Sequence, residues 1–190
     1  MADRPTPDML RRLLRYEPET GKLFWRERPV ELCKNVQYWR AWNTRFAGRE
    51  AFVTLTRSGY LQGVIFNRIH LAHKVIWAMA YDEWPSGQID HRDTNPSNNS
   101  LGNLRGATGL QNSQNQGRKA RNTSGYKGVT WSKKSGRWQA QIMCNWKTYH
   151  LGLFDTPEEA HTAYCAAARR LHGEFYNDGA KTQPERKTDE

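Results

Sequence analysis

Acidic residues are absent from the whole stretch between Asp93 and Asp155, although the chain contains 19 of them. The same stretch carries nine cations: Arg105, Arg118, Lys119, Arg121, Lys127, Lys133, Lys134, Arg137 and Lys147. A solvated surface normally mixes both signs of charge, whereas a block of one sign interleaved with tryptophan and tyrosine is typical of a surface that binds a polyanion. The charge pattern therefore predicts nucleic acid as the partner of this region.

Long apolar runs and paired cysteines are absent as well. No run reaches the length needed to cross a bilayer, and MADRPTPDML at the start lacks the basic and then apolar order of a signal peptide. Cys33, Cys144 and Cys165 form no C-x-x-C pair, which argues against a zinc knuckle or a disulfide framework and predicts buried or half-buried free thiols. We therefore expect a soluble, cytoplasmic protein that binds no membrane.

The residues up to about Pro85 predict two helices with strands between them. Thr6 and Pro7 have the positions of a helix cap and a first helical residue, and AFVTLTRSGYLQGVIF predicts a hairpin that turns at residues 57–59. Apolar spacing predicts a helix in HLAHKVIWAMAYDEW, where His73 would pack or contact a phosphate. This region is either structural support or a nucleic-acid clamp, and a clamp would use Trp25, Arg26, Arg28, Trp39, Arg40, Trp42 and Arg45.

A strand, a loop, a second strand and a helix follow in close succession. Residues 89–92 predict a short strand, NPSNNSLGN has the composition of a loop, and LRGA predicts a returning strand. Thr108 and Gln111 have the spacing of a capping box, which begins a helix through about Gln116. This order places Asp90 and His91 on the first strand.

The neighbouring Asp90 and His91 have the side chains that phosphodiester hydrolysis requires. A histidine titrates near neutral pH and can take a proton from water, and a carboxylate is a natural ligand of a hard cation such as Mg²⁺. Asn112, in the first turn of the helix, would supply a second oxygen without adding charge. The alternative is an aspartate that merely orients a surface histidine, but the ordered pattern around the pair favours the catalytic interpretation.

Residues 89–112 resemble the HNH endonucleases, and in particular the phage and intron homing-endonuclease branch in which asparagine replaces the last histidine. The resemblance implies a strand–strand–helix fold around one metal ion, Mg²⁺ or Mn²⁺, and nicking or cleavage of double-stranded DNA. It implies that Asp90 and Asn112 are the metal ligands and that His91 is the general base. It also implies that Asn103 completes the catalytic set by holding the loop with hydrogen bonds.

The C-terminal residues predict three strands and one helix. YKGVTWSKK, RWQAQIMC and KTYHLGLF have the composition of strands separated by turns. Thr156, Pro157 and Glu159 form a strong helix start, and Gly173 would end that helix. An alanine-rich helix face would lie close against the sheet, with Trp138 in the core beneath it.

This stretch resembles the ethylene-response-factor, or Apetala-two, DNA-binding domain in YKGV, GRWQAQI, LGLF, TPEEA and the final glycine at Gly173. The family lays its three-stranded sheet in the major groove of DNA. Its plant members carry arginines where this chain has Thr130, Ser132 and Met143, so their base preference does not carry over. The predicted DNA contacts are Arg105, Lys127, Trp131, Lys133, Lys134, Arg137, Gln139, Gln141, Lys147 and Tyr149. Arg105 would alternatively stabilise the fold.

The predicted fold class is α+β, with a strand–strand–helix metal-finger nuclease core followed by a three-stranded antiparallel sheet packed on one helix. The predicted segments are a region 1–116 with its nuclease core at about 60–116, a basic linker 117–124, an Apetala-two-like domain 125–177 and a disordered tail 178–190. The predicted function is a metal-dependent DNA endonuclease of homing, mobile-element or phage type, favoured as a monomer, in a bacterial or phage-infected cell. The alternative is a non-catalytic DNA-binding regulator with a degenerate nuclease fold, and an RNA-directed role is more distant.

Overall fold

The computed structural model describes residues 4–119 and 121–180 of the chain. The chain divides into two compact units, Met1–Gly106 and Ala107–Glu190. Both units mix α-helices with small sheets, in agreement with the predicted mixture of helix and strand. Within the described residues, no helix combines the length and the apolar character that a membrane span requires.

The N-terminal unit is built from short strands and helices. In chain order these are α1 (Pro7–Leu13), β1 (Leu14–Glu17), β2 (Lys22–Trp25), α2 (Val36–Phe46), β3 (Glu50–Ala51), β4 (Thr54–Leu55), β5 (Leu61–Ile65), β6 (Arg68–Leu71), α3 (Ala72–Tyr81), β7 (Gln88–His91) and β8 (Leu104–Ala107). Strands β1–β3 form one antiparallel sheet and β4–β6 form another, while β7 and β8 form a two-stranded sheet. One 3₁₀ turn, Leu101–Asn103, immediately precedes β8.

One apolar core joins these elements. Leu10 and Leu13 of α1, Val75 and Ile76 of α3, and Ile89 of β7 are all buried in it. The apolar sides of α1 and α3 are therefore buried in this core, as the helical spacing predicts. Ile89 anchors strand β7 in this core. The next two residues of the strand, Asp90 and His91, are thereby held in place for the candidate site.

The predicted helices and hairpin of this unit are confirmed, but α2 was not predicted. Thr6 caps α1 by accepting a hydrogen bond from the N–H of Met9, and β4 and β5 pair as an antiparallel hairpin. Trp39, Trp42 and Phe46 of α2 recur at helical spacing and are partly buried, an apolar stripe that the sequence analysis missed. The helix also begins with a cap, where the side chain of Asn35 accepts from the N–H of Tyr38.

The C-terminal unit contains the predicted sheet and its helix. Its elements are α4 (Gly109–Asn115), β9 (Val129–Ser132), β10 (Arg137–Cys144), β11 (Lys147–Phe154), α5 (Pro157–His172) and a 3₁₀ turn at Gly173–Phe175. The antiparallel sheet has the order β11-β10-β9. Ala160 and Ala168 of α5 are fully buried, and Val129, Ala140 and Ile142 of the sheet are buried as well. Small side chains allow this close packing of helix on sheet, and the partly buried Trp138 packs there as predicted.

Both predicted capping boxes are confirmed, at Thr108 with Gln111 and at Thr156 with Glu159. In each box the threonine side chain accepts from a backbone N–H three residues on, and the N-cap N–H donates back to the glutamine or glutamate. Gly173 ends α5 with a φ of +54°, a conformation that glycine adopts most easily.

The two compact units meet between Gly106 and Ala107, inside the segment 1–116, and the predicted domain bounds stay a prediction. Helix α4 belongs to the C-terminal unit, whereas the sequence pattern assigns it to the region 1–116. The prediction groups α4 with the strands that precede it in the motif. The compact units are defined by contacts, and α4 makes its contacts within the C-terminal unit. In the predicted linker, Gly117 is buried and Nδ2 of Asn122 donates to the carbonyl of Tyr126. In the predicted tail, Gly179 is buried, and residues 181–190 lie outside the described part of the chain.

Candidate nuclease site and DNA-binding surface

Asp90 and Arg105 form a buried ion pair across the two-stranded β7–β8 sheet. The Nε and one terminal nitrogen of the guanidinium each lie 2.7 Å from Oδ2 of Asp90. Asp90 is 3% exposed and Arg105 is 7% exposed, so both charges are removed from water. A buried carboxylate is stable when an opposite charge and good hydrogen bonds compensate it. This geometry favours the role of Arg105 in the fold over the alternative of a phosphate contact.

His91 is the next residue and is held by the amide of Asn99. Nε2 of His91 lies 3.1 Å from Oδ1 of Asn99, and Nδ2 of the same amide donates to the carbonyl of Ser97 at 3.4 Å. Because Oδ1 can only accept, this contact is a hydrogen bond in the tautomer with the imidazole hydrogen on Nε2, in which Nδ1 is the basic nitrogen. Burial lowers the pKa of His91 below its ordinary value, and the bond to Asn99 partly opposes that shift. Burial therefore favours the neutral form of His91, and Asn99 orients its ring.

Two further rings pack on His91. The rings of His73 and His91 are edge to face, with centroids 5.2 Å apart and an interplanar angle of 87°. The ring of Tyr60 lies 5.8 Å from that of His91 and 5.1 Å from that of His73. Burial, followed by the nearby charges of His91 and Lys74, lowers the pKa of His73 to about 3. His73 is thus a neutral packing partner, which is one of the two roles predicted for it.

Asn103 joins the two ends of the asparagine-rich loop. Its Nδ2 donates to Oδ1 of Asp93 at 2.9 Å and to the carbonyl of Asn98 at 2.8 Å, and its Oδ1 accepts from the N–H of Asp93 at 2.9 Å. Its carbonyl accepts from the N–H of Arg92 at 2.8 Å. This is the kind of bonding that the family resemblance implies for Asn103. Asp93 was missed by the sequence reading, although a carboxylate at the start of a loop often accepts backbone N–H groups.

The N-terminal part of the chain supports this loop from outside. The hydroxyl of Tyr16 donates to the carbonyl of Asn99 at 3.0 Å. Gly21 has a φ of +71°, and a Cβ atom there would lie 2.4 Å from the backbone nitrogen of Ser100. Only glycine allows the turn after β1 to approach the loop so closely. These contacts favour structural support over a clamp for the residues around β1, whereas Trp39, Arg40 and Arg45 on α2 have no part in them.

Asn112 lies in the first turn of α4, where its N–H donates to the carbonyl of Thr108 at 3.0 Å. Among the described residues, no cluster of three or more histidine, cysteine, aspartate or glutamate side chains is placed to hold a metal ion. Magnesium needs only one or two protein oxygens because it keeps several waters. The carboxylate of Asp90, which the guanidinium of Arg105 binds, is a suitable oxygen donor for such a hard cation, and so is the amide oxygen of Asn112.

The sheet of the C-terminal unit has one face against α5 and one open face. Side chains alternate along β10 between the two faces of the sheet. Ala140 and Ile142 are buried on the face that packs on α5, so Gln139, Gln141 and Met143 point away from the helix. Cross-strand partners share a face, and the register pairs Gln139 with Thr130 and Gln141 with His150. The open face therefore carries Thr130, Ser132, Arg137, Gln139, Gln141, Met143, Thr148 and His150. The sequence reading missed Thr148 and His150, which strand register alone could have placed.

The other predicted DNA contacts lie away from this open face. Trp131 pairs with Trp138 and Tyr149 pairs with Ile142, so the register puts both aromatic rings on the side of α5, although each is about half exposed. Three exposed cations lie at or beside the turns that flank β10, namely Lys133, Lys134 and Lys147. Lys127 differs from them because its ammonium donates to backbone carbonyls within the unit.

Comparisons with known protein families agree with these two sites. A family model described as HNH endonuclease matches residues 70–114, which include the β7–β8 sheet and most of α4. A second model, the AP2 domain, matches residues 124–174, which include the three-stranded sheet and α5. No solved structure matches the chain significantly.

Two viral proteins are similar to this chain. It is 36% identical over 120 residues to Protein 3.8 of Escherichia phage T7, across 63% of this chain and 96% of that protein. It is 32% identical over 123 residues to an uncharacterized HNH endonuclease of Acanthamoeba polyphaga mimivirus, across 64% of this chain and 63% of that protein. The matched segments assign residues 70–114 to the HNH endonuclease family and residues 124–174 to the AP2 domain, so the chain combines an HNH endonuclease segment with a C-terminal AP2 domain.

Proposed function

We propose that this protein is a metal-dependent endonuclease that hydrolyses phosphodiester bonds in double-stranded DNA. The observation that carries the proposal is the buried His91, whose Nε2–H is held by Asn99 next to the carboxylate of Asp90. A base with a fixed tautomer beside an oxygen ligand is what metal-assisted hydrolysis of a phosphodiester requires. The mimivirus relative, an uncharacterized HNH endonuclease, supports this function. The two viral relatives together favour a phage or mobile-element protein in the cytoplasm of an infected cell.

Each residue of the site has a separate task in this proposal. Nδ1 of His91 takes the proton from the attacking water, and Asn99 keeps the opposite nitrogen protonated throughout. Asn103 holds the loop through its bonds to Asp93 and Asn98, so that Asn99 stays in place. Catalytic groups fixed in this way need no reorganisation during the reaction.

Asp90 and Asn112 are the proposed ligands of one Mg²⁺ or Mn²⁺ ion. When bound, that ion would supply positive charge to the phosphate oxygens and to the leaving oxygen. Arg105 would keep the carboxylate of Asp90 oriented through its two contacts with Oδ2. An amide as the second ligand adds no negative charge that would repel the DNA backbone.

The AP2 domain would bind the DNA through the open face of its sheet and the exposed cations beside it. Arg137, Gln139 and Gln141 are the proposed base or phosphate contacts on that face, and Lys133, Lys134 and Lys147 are proposed phosphate contacts. Trp131 and Tyr149 would contact the DNA at the edge of this binding surface. One metal site attacks one strand, so we propose a monomer that nicks, with double-strand cleavage as two successive events.

The decisive experiment incubates supercoiled DNA with the protein and Mg²⁺ and follows nicked product over time. The His91→Ala variant should lose at least about 100-fold in rate, because general-base catalysis contributes that much or more. EDTA should abolish the reaction, and Arg170→Met, which removes an exposed cation of α5 on the other side of the sheet, is the control that should keep it. A His91→Ala variant that nicks as fast as the wild type would falsify the proposal. Metal-independent binding without turnover on any DNA would favour the non-catalytic regulator instead.

A further inference from the structure

The end of helix α4 is held by the ammonium group of Lys127. Nζ of Lys127 donates to the carbonyls of Gln114 at 2.8 Å, Gln116 at 2.6 Å and Asn177 at 3.1 Å. A lysine ammonium has three hydrogens, and these three acceptors use all of them. Two of the acceptors are at the C-terminus of α4, where helix carbonyls have no partner within the helix and the helix dipole is negative.

A second side chain completes this attachment. Nδ2 of Asn177 donates to the carbonyl of Asn115 at 2.8 Å, so three consecutive carbonyls at the end of α4 are bonded by residues that follow it in the chain. Asn115 is buried, and α4 packs against the 3₁₀ turn at Gly173–Phe175. Lys127 belongs to the segment matched by the AP2 domain, and Asn177 follows that segment by three residues.

The aliphatic part of the Lys127 side chain is covered by neighbouring residues, in addition to the ammonium group. Gly179 has a φ of +83°, and a Cβ atom there would lie 2.5 Å from Cβ of Lys127, so glycine is needed to cover the stem. Burial of the ammonium lowers the pKa of Lys127 to about 8, and the negative charge of Asp178 partly opposes that shift. A lysine bound in this way is not available to a DNA phosphate.

We propose that Lys127 and Asn177 lock helix α4 to the AP2 domain, so that the DNA-binding domain itself positions the helix that bears Asn112. This inference rests on the proposed function, because Asn112 matters only as a ligand of the nuclease metal. The AP2 domain then has two tasks, which are to bind DNA and to fix the orientation of one metal ligand. Lys127 is a positioning residue, since it acts through α4 and does not touch the substrate.

The test is a Lys127→Met variant of the full chain, which keeps the apolar stem and removes the ammonium. At saturating DNA, the nicking rate should fall between about 10- and 100-fold, the usual cost of loosening a group that supports a metal ligand. The Mg²⁺ concentration for half-maximal rate should rise, while the dissociation constant for DNA in EDTA stays within about twofold. Arg170→Met removes an exposed cation from α5 in the same unit and should change none of these quantities.

Hydrogen exchange provides a readout that does not depend on cleavage. In Lys127→Met, the backbone amides of residues 112–116 should exchange faster, while those of β10 keep the wild-type rate. Asn177→Ala removes the bond to Asn115 and the bond that its Oδ1 accepts from the N–H of Gly179, but leaves Lys127 in place. It should give a smaller change of the same kind, which serves if Lys127→Met fails to fold. Unchanged nicking and metal dependence in Lys127→Met would overturn the inference, as would a loss explained entirely by weaker DNA binding.

The two proposals fail in different ways. If the wild type binds DNA but never cuts it, the proposed function fails, and with it the role of Lys127 in positioning a ligand. If the wild type cuts and Lys127→Met cuts equally well with unchanged exchange in α4, only the lock is wrong.

Discussion

The two units place their polar residues in opposite environments. In the N-terminal unit, Asp90, His91 and Asn103 are 3%, 5% and 9% exposed, and named partners hold each of them. In the C-terminal unit, the polar side chains of the open sheet face are partly or fully exposed. Chemistry gains from groups that are desolvated and fixed in advance, whereas recognition of DNA requires donors that the grooves can reach. Substitutions in the buried site should therefore change folding and rate, whereas substitutions on the open sheet face should change only affinity.

The largest effect is expected from the buried ion pair. Arg105→Met should lower the free energy of unfolding by about 3–5 kcal/mol, because the buried charge of Asp90 loses its guanidinium partner. Urea denaturation without metal measures the loss. The exposed pair Lys22–Glu50, whose charged atoms are 2.9 Å apart, provides the comparison: Lys22→Met should cost under about 1 kcal/mol. Adding Asp90→Asn to Arg105→Met should recover part of the stability, and equal losses at the two sites would contradict the contrast between them.

The next effect concerns rate. Asn99→Ala should lower the nicking rate at saturating DNA by about 10- to 100-fold, since the tautomer and orientation of the general base are no longer fixed. The dissociation constant for DNA should not change, which separates this variant from those of the open sheet face. Asn95→Ala, an exposed asparagine of the same loop, is the matched control. A similar loss of rate in both variants would mean that the loop needs its asparagines for folding and that His91 gains nothing special from Asn99.

A pH effect on stability should come from His73. Its pKa in the folded state is about 3, below the ordinary value of 6.5, so between these values the unfolded chain binds the proton first. The stabilisation is present above about pH 6.5 and is lost as the pH falls toward 3. From pH 7 to pH 5 the free energy of unfolding should fall by on the order of 2 kcal/mol from this residue. His73→Phe should remove that part of the pH dependence, whereas the exposed His150→Gln should keep it.

The smallest effect is expected on the exposed side of the comparison. Lys134→Gln should weaken DNA binding only a few-fold at moderate salt, and to the same extent for every DNA sequence. The slope of log affinity against log salt should decrease by about 0.9, as expected for one lost phosphate contact. Folding and the rate at saturating DNA should not change. A fall in the saturated rate would show that this cation does more than bind the backbone.

The sequence predicts the elements whose signals are local. The capping boxes at Thr108 and Thr156 set helix starts to the residue, because a cap involves side chains only three positions apart. The Asp90–His91 pair and Asn103 could be singled out by their order in the family pattern. Helix α2 could have been predicted in the same way, because Trp39, Trp42 and Phe46 follow a helical apolar spacing and are partly buried.

The parts that the sequence did not predict depend on contacts between distant residues. Asn99 is one of several similar asparagines in the loop, and only the fold shows that its amide reaches His91. In the sequence, Lys127 cannot be told apart from the other cations of the acid-free stretch. Its acceptors are backbone carbonyls, which every residue has, so no residue type in the sequence marks them. Arg105 is ambiguous for the same reason, since its partner Asp90 is fifteen positions away on the neighbouring strand.

The attachment of α4 has a consequence for chimaeric nucleases. An engineer who wants a new target would exchange the recognition domain and would naturally join the two proteins within residues 117–124. That junction separates Lys127 and Asn177 from the three carbonyls that they bond. A junction in front of Thr108 would transfer α4 together with Lys127 and Asn177. The segment to exchange is therefore longer than the AP2 match at residues 124–174.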